Sequence, residues 1–337
     1  MRPSDRIPLA ILDLATVRHG QPIAEALADT VTLAQHAERT GRFTRIWYAE
    51  HHNMASIASS ATAVLIAHVA ARTERIRLGS GGVMLPNHSP LVVAEQFGTL
   101  AELHPGRIDL GLGRAPGTDQ TTLRALRRDP RAAEDFPSDI RELQGYLGGD
   151  SLVPGVRAVP GQGTEVPLYI LGSSRYGAQL AAALGLPYAF ASHFAPDALD
   201  AALAAYRDRF EPSAQLDRPH AIAALNVIAA DTSAQAAELY ERVLRARVRS
   251  LAGRIPGYAA RLAAGPLDDA ELDRLVDSPV GAQARHMLTY TAVGDADQVA
   301  AYLEDFRRRT RADELMVTNP APGLQARLRC LDLLAAH

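Results

Sequence analysis

The sequence predicts a closed α/β barrel of eight β/α units, a (β/α)8 or TIM barrel, over residues 1–337 as one domain. Short apolar runs alternate with longer Ala/Leu/Arg/Glu segments along most of the chain, and eight runs read as strands. Repeated β-then-α units imply parallel pairing through right-handed crossovers. The length of 337 residues also accommodates a barrel, which takes about 250 residues or more. An open doubly wound sheet is the alternative that the same alternation permits.

Residues 7–14 read as the first strand and 22–39 as its helix. The second strand, 45–48, ends at Ala49-Glu50-His51-His52, and its helix, 57–71, is rich in small residues. Residues 76–85 and 90–103 form the third pair; strand 108–113 leads into a broken helical stretch that runs to 147. Residues 150–166 (DSLVPGVRAVPGQGTEV) are punctuated by proline and glycine and read as an irregular excursion. Strands of the same character continue on both sides, so it does not divide the chain. Strand 168–171 precedes helix 176–184, strand 188–192 precedes helix 196–210, and strand 221–230 precedes an arginine-rich helix, 234–250. Residues 251–290, broken by Gly253, Pro256, Gly265 and Pro279, read as an insertion of short helices. A helix at 297–308, a last strand at 314–317 and a closing helix at 324–335 complete the barrel.

Composition narrows the function. The 35 basic and 38 acidic residues leave a net charge of −3, without the basic field that a nucleic-acid binder uses. Every basic residue other than histidine is arginine; with no lysine, Schiff-base chemistry, pyridoxal phosphate anchoring and a Walker lysine are excluded. Cys330 is the one cysteine, so neither an intramolecular disulfide nor a thiolate metal cage is available. No apolar stretch approaches the ~18 residues of a membrane span, and the N-terminus lacks a signal-peptide run. The expectation is a soluble cytoplasmic protein.

In a parallel barrel, functional groups gather where strands run into helices. The unusual polar residues of this chain do so: Glu50, His51 and His52 after strand two, Gly79-Ser80-Gly81-Gly82 in strand three, Arg114 after strand four, Gly172-Ser173-Ser174 after strand five and His193 after strand six. Adjacent strand residues point to opposite sides, so one of His51 and His52 faces the mouth. His51 is the candidate acid–base group, with Glu50 beside it to orient it. With no His-Glu-x-x-His helix and no second histidine cluster, a metal site is not predicted.

Two glycine-rich turns point to a phosphate. Gly111-Leu112-Gly113-Arg114-Ala115-Pro116-Gly117 has G-x-G-x-x-x-G spacing, which fails the dinucleotide fingerprint, but Arg114 can meet a phosphate bidentately. At Gly172-Ser173-Ser174 a strand ends and a helix begins, where unpaired N–H groups and serine hydroxyls can hold an anion, or where a serine can simply cap the helix. Glycines inside strand three mark either a bulge or a flat ligand against the backbone.

Four segments together resemble the bacterial luciferase-like family of flavin-dependent monooxygenases: residues 46–53 (IWYAEHHN), 77–90 (RLGSGGVMLPNHSP), 106–114 (GRIDLGLGR) and 168–174 (LYILGSS). Val293-Gly294-Asp295 before a helix also fits. The resemblance implies a (β/α)8 barrel and a reaction of reduced FMN with dioxygen through a flavin C4a-hydroperoxide that oxygenates a small organic substrate. It implies that Gly81-Gly82 form a non-prolyl cis peptide beneath the isoalloxazine, that Arg114, Gly172, Ser173 and Ser174 hold the flavin phosphate, and that His51 stands near the flavin's reactive edge. Coenzyme F420, used by cousins for hydride transfer, is the alternative cofactor, and a non-catalytic flavin-binding protein the alternative of another class. Gly-Gly stands where bacterial luciferase has Ala-Ala, and Gly113 where it has a reactive cysteine. At the phosphate loop Ser173 replaces a Glu and Gly177 a Thr. The nearest character is that of secondary-metabolite tailoring enzymes such as the mensacarcin polyketide type. Without a nicotinamide fingerprint, a separate flavin reductase is expected to supply the reduced cofactor.

Substrate-pocket walls are expected from Asn53, Met54, Asp119, Phe136, His193, Phe194 and the 251–290 insertion. The second helix, from Ser56 to Ala67, is apolar or small on nearly every side, more than one stripe against a sheet requires. A homodimer through this helix and the third, around 92–103, is predicted; family members commonly pair there.

Overall fold

In the first strand, β1 (Leu9–Asp13), alternate residues face two apolar layers. Ala10 and Leu12 join an inner cluster with Trp47, Tyr169, Ile222 and Met316, while Leu9 and Ile11 join the larger layer between strands and helices. This period of two, buried on both faces, is what an all-parallel barrel demands. The computed structural model describes residues 6–115, 118–263, 265 and 267–337. Pro116 and Gly117 of the Arg114 turn lie outside the described residues.

After β1 come α1 (Ile23–Thr40), β2 (Phe43–Tyr48), α2 (Thr62–Ala70), β3 (Arg77–Met84), α3 (Pro90–Leu103) and β4 (Ile108–Gly113). The broken stretch is α4 (Gln120–Ala125) and α5 (Phe136–Gly148), and β5 (Leu168–Gly172), α6 (Arg175–Ala183), β6 (Tyr188–Phe190) and α7 (Leu199–Asp208) follow. Next come β7 (Ala221–Ala229) and α8 (Ser233–Ala252), then the short helices α9 (Pro256–Ala263), α10 (Asp269–Val276) and α11 (Pro279–Met287). The chain closes with β8 (Thr291–Gly294), α12 (Ala296–Thr310), β9 (Glu314–Thr318) and α13 (Leu324–Ala335).

Strands β1 to β7 pair in sequence order and β9 pairs with both β7 and β1, closing an eight-stranded parallel barrel with helices around it. The ninth strand, β8, is not among the eight predicted. It pairs only with Asn226–Ala229, of which Val227–Ala229 run on past the pairing of β7 with β9. The excursion at 150–166 holds neither helix nor strand, and it folds back so closely on α3 that a Cβ at Gly98 would overlap Gly161. The insertion does form short helices. Its Leu272, Leu275, Val276, Ala284 and Leu288 share a second core with Val243, Leu244 and Val248 of α8.

The sequence starts the second helix near residue 57, but α2 starts at Thr62. Residues before it are drawn into the first loop: Ile57 pairs with Thr16, and the Ala58 N–H donates to Ala15 O at 3.0 Å. Those backbone groups are bonded elsewhere and are not free to start a helix.

Ion pairs close the barrel at the N-terminal ends of its strands. Arg45 donates to Asp109 at 2.8 Å and to Glu314 at 3.1 Å, with its guanidinium over the rings of Tyr169 and Trp47. Asp109, fully buried, also takes Arg77 and the Trp47 indole N–H. This floor leaves the opposite, C-terminal mouth for chemistry.

Candidate active site

Glu50 follows β2, is 1% exposed and is the hub of one side of the mouth. His52 and His88 donate from Nε2 to Oε1, each at 2.8 Å, and the Met84 N–H donates to Oε2 at 3.0 Å. The Asn87 amide adds a bond at 3.2 Å. Burial alone would push this carboxyl up; the bonds from His52, His88 and Met84 outweigh burial and hold it at about 2. His52 is raised in return, first by its bond to Glu50.

This corrects the expectation that Glu50 orients His51. The carboxylate bonds His52 instead, and its second imidazole is His88, 38 positions along the chain. One Glu50 oxygen and one ring nitrogen from each of His52 and His88 lie within 4.8 Å of one another, a set of two imidazoles and a carboxylate able to take a divalent ion. No metal site is predicted from the sequence, because His88 joins the set only through tertiary folding.

His51 makes no hydrogen bond to that hub. Its Nδ1 is buried without a hydrogen-bond partner, and so is Nδ1 of His193, which follows β6. Burial lowers both imidazoles, His51 against a raising influence from Glu50. His193 falls to about 3 through burial, then the charge of Arg247 on α8 and then His51. Both rings are therefore neutral at pH 7. The His193 backbone is fixed by Asn226 of β7, whose amide donates to its carbonyl at 2.7 Å, and its ring packs edge-on against Phe194. Of the expected pocket walls, His193 and the exposed Phe194 stand here. Phe136 is instead 1% exposed, within the main core.

Arg114 leaves β4 and lies over the ring of Tyr176 in the first turn of α6, 4.2 Å from its centroid. That brings it to the segment carrying Gly172, Ser173 and Ser174. Ser174 occupies the N-cap position, yet its side chain makes no capping bond. Its carbonyl accepts from Tyr188 at 3.0 Å, while Ser173, Ser174 and Arg114 are exposed. Open first-turn N–H groups, uncommitted hydroxyls and a guanidinium make an anion cradle suited to a phosphate.

The Gly81–Gly82 peptide is cis. The register of β3 against β4 shifts between Ser80 and Val83, so a bulge is also present. A Cβ on Gly81 would stand 2.6 Å from Leu12 Cδ1, and one on Gly82 would stand 2.7 Å from Gly111 O. Packing inside the barrel thus demands glycine at both positions, while Gly81 stays partly exposed.

The luciferase-like monooxygenase family matches residues 8–314, from the start of the barrel to its last strand. The chain belongs to this family. A luciferase-like monooxygenase of Escherichia coli strain K12 is 47% identical over 331 residues, 97% of this chain and 96% of the relative. The N-acetyl-S-alkylcysteine monooxygenase of Bacillus subtilis strain 168 is 42% identical over 190 residues, 55% of this chain and 57% of that one. Among solved luciferase-like structures, apo-MsnO8 superposes with a TM-score of 0.82 at 34% identity over 98% of each chain.

Residue types alone left His88 unassigned. His88 lies within one of the family-like segments and could have been found there as a second imidazole near Glu50.

Proposed function

We propose that this luciferase-like protein is a monooxygenase that takes reduced FMN as a co-substrate, together with dioxygen, and oxygenates a small organic substrate at the barrel mouth. The cradle of Arg114, Ser173 and Ser174, open at the start of α6, is the observation that carries this reading. Arg114 and the α6 N-terminus would hold the flavin phosphate, with Gly172 as the close-approach turn and Gly81-Gly82 as the backbone floor beneath the ring. Reduced flavin, when bound, supplies the electrons that activate dioxygen.

His51 is the acid–base group of this reading: neutral, half-buried and with Nδ1 uncommitted, it accepts or returns a proton at that nitrogen. Glu50 acts at one remove, by fixing His52 and His88 and hence the β3 end of the mouth. The relative acting on N-acetyl-S-alkylcysteine supports oxygenation of a small molecule. No dinucleotide fingerprint is present, so a separate reductase supplies reduced FMN.

Equilibrium titration of the purified protein with FMN, reduced FMN and F420 tests the cofactor. Tight binding of reduced FMN, with oxygen uptake accelerated over free flavin, is expected. Binding of F420 alone would replace this reading with hydride transfer.

A further inference from the structure

Glu50, His52 and His88 bring three metal-binding side chains to one point. Glu50 Oε1 lies 2.8 Å from Nε2 of His52 and 2.8 Å from Nε2 of His88, and the three ligand atoms fall within 4.8 Å of one another. The Asn87 amide also reaches Oε1, at 3.2 Å. A carboxylate oxygen offers about two lone pairs, so three donors overfill it. A cation seated among the ligand atoms takes one lone pair from each and replaces that crowding by coordination. Two atoms bound to one zinc ion at about 2.0–2.1 Å stand roughly 3.3 Å apart in a tetrahedron. Each imidazole therefore has to draw back from Oε1 by only about half an ångström.

Neighbouring contacts hold the set in place. The Met84 N–H donates to Glu50 Oε2 at 3.0 Å, which orients the carboxylate. Arg128 Nε donates to the Asn87 carbonyl at 3.0 Å and the His88 N–H to the Leu85 carbonyl at 2.9 Å, fixing the turn that carries His88. The Thr118 hydroxyl donates to the His52 carbonyl at 3.2 Å. Outer contacts of this kind orient metal ligands. The Glu50 side chain is 2% exposed, whereas those of His52 and His88 are 18% and 31% exposed. The carboxylate is thus dry while the imidazole side opens to solvent, where an ion can enter and water can fill a remaining position.

We propose that Glu50 Oε1, His52 Nε2 and His88 Nε2 bind one divalent transition-metal ion of the zinc type, which clamps the end of β2 to the turn after β3. Two imidazoles and a carboxylate suit zinc and its neighbours; magnesium and calcium take oxygen ligands. An ion bound by the folded set alone stabilises the fold by its binding free energy. The inference stands apart from the flavin reading and holds whichever cofactor the mouth takes.

The whole protein, stripped with a chelator and dialysed, is titrated calorimetrically with zinc chloride, magnesium chloride and calcium chloride. One equivalent of zinc is expected to bind with a Kd of about 1 μM or tighter, and neither magnesium nor calcium to saturate. Zinc at about 100 times its Kd should raise the Tm on the order of 3 °C. His52→Gln and His88→Gln should each weaken zinc binding by about a hundredfold. His36→Gln, which removes an imidazole paired with Asp332, should leave it unchanged. X-ray absorption of the zinc-loaded wild type needs no variant, and two imidazoles with oxygen neighbours at about 2.0–2.1 Å are expected. Fewer than two imidazoles on the zinc, no zinc binding, or magnesium bound as tightly as zinc overturns the proposal. So do folded His52→Gln and His88→Gln proteins that keep wild-type affinity, a His36→Gln protein that loses the ion, or zinc bound with no rise in Tm.

Discussion

Arg114 and Tyr176 meet face to cation, 4.2 Å from guanidinium carbon to ring centroid, across two successive strand ends of the barrel. The contact holds the arginine beside the α6 N-terminus, where the Ser174 hydroxyl does not cap its own helix. In barrels of this kind phosphate sites usually follow strands seven and eight. Here helix N-terminus, serines and arginine come together after strands four and five.

Arg114→Gln is therefore expected to weaken FMN binding by about tenfold to a hundredfold, the worth of a charge-assisted bond to phosphate. Ser174→Ala should weaken it less. Riboflavin, which lacks the phosphate, should bind both variants as it binds the wild type. Equal losses for FMN and riboflavin would remove the phosphate from this cradle. Fluorescence quenching of the flavins measures both constants.

His51 gives a prediction in kinetics. His51→Ala should lower turnover by about a hundredfold or more while leaving FMN affinity near the wild-type value. Since burial lowers the imidazole, the acidic limb of the wild-type kcat profile should lie below the usual histidine range near 6.5 and disappear in the variant. A variant with unchanged turnover would return the chain to the class of non-catalytic flavin binders.

Glu50 governs stability at low pH. Its carboxyl is held at about 2 against an ordinary 4.5, so its contribution is complete above the ordinary value and is lost as pH falls towards 2. About 2 kcal/mol should be lost from this source between pH 5.5 and pH 3. His52, being raised, works in the opposite sense: its contribution is full below 6.5 and is lost as pH rises through its folded value. Glu50→Gln should unfold at lower urea at pH 5.5 and show a flatter acid limb than the wild type. Parallel limbs for the two proteins would contradict the assignment.

The barrel floor should separate stability from function. Asp109→Asn leaves Arg45 and Arg77 with less counter-charge in a buried network, at a cost of about 3–5 kcal/mol. Denaturant midpoints should fall accordingly, while the folded fraction keeps wild-type FMN affinity, because the floor and the mouth lie at opposite strand ends.

These contrasts also explain what could be read from the chain. The barrel was legible because every strand but β8 carries an apolar run flanked by helical segments. Thr291–Gly294 is four residues long, half-exposed in alternation, and pairs only with the end of β7, so it has neither the length nor the double-sided burial of its neighbours. Gly81-Gly82 was legible as a special backbone, but bulge and ligand platform predict the same glycines. The structure shows a bulge there and, in Trp47, Leu12 and Gly111, neighbours that leave no room for a Cβ. Glu50 illustrates the remaining limit. Adjacency favours His51 as its partner, whereas a two-residue step and a 38-residue step bring in His52 and His88.

Assembly yields the last prediction. Helix α2 turns Leu65, Ile66 and Val69 into the core, while Val64 is left 70% exposed on the outer face. Val92 of α3 is 43% exposed and Leu103 is 65% exposed, in the helix packed beside α2. No loop among the described residues shields Val64 from solvent, which removes the simplest way for the chain to cover this face itself. A second copy of the chain is the occupant we propose, related by a two-fold axis so that the same apolar patch meets itself. Ala63 and Ala67 are half-buried at the edge of the core, so charge at either would also disturb packing. Val64→Arg places the charge outward without disturbing packing. Light scattering should report a dimer for the wild type at micromolar concentration and a monomer of unchanged circular dichroism for Val64→Arg. A wild type that is already monomeric at that concentration, or a Val64→Arg protein that stays dimeric, would refute α2 as the interface.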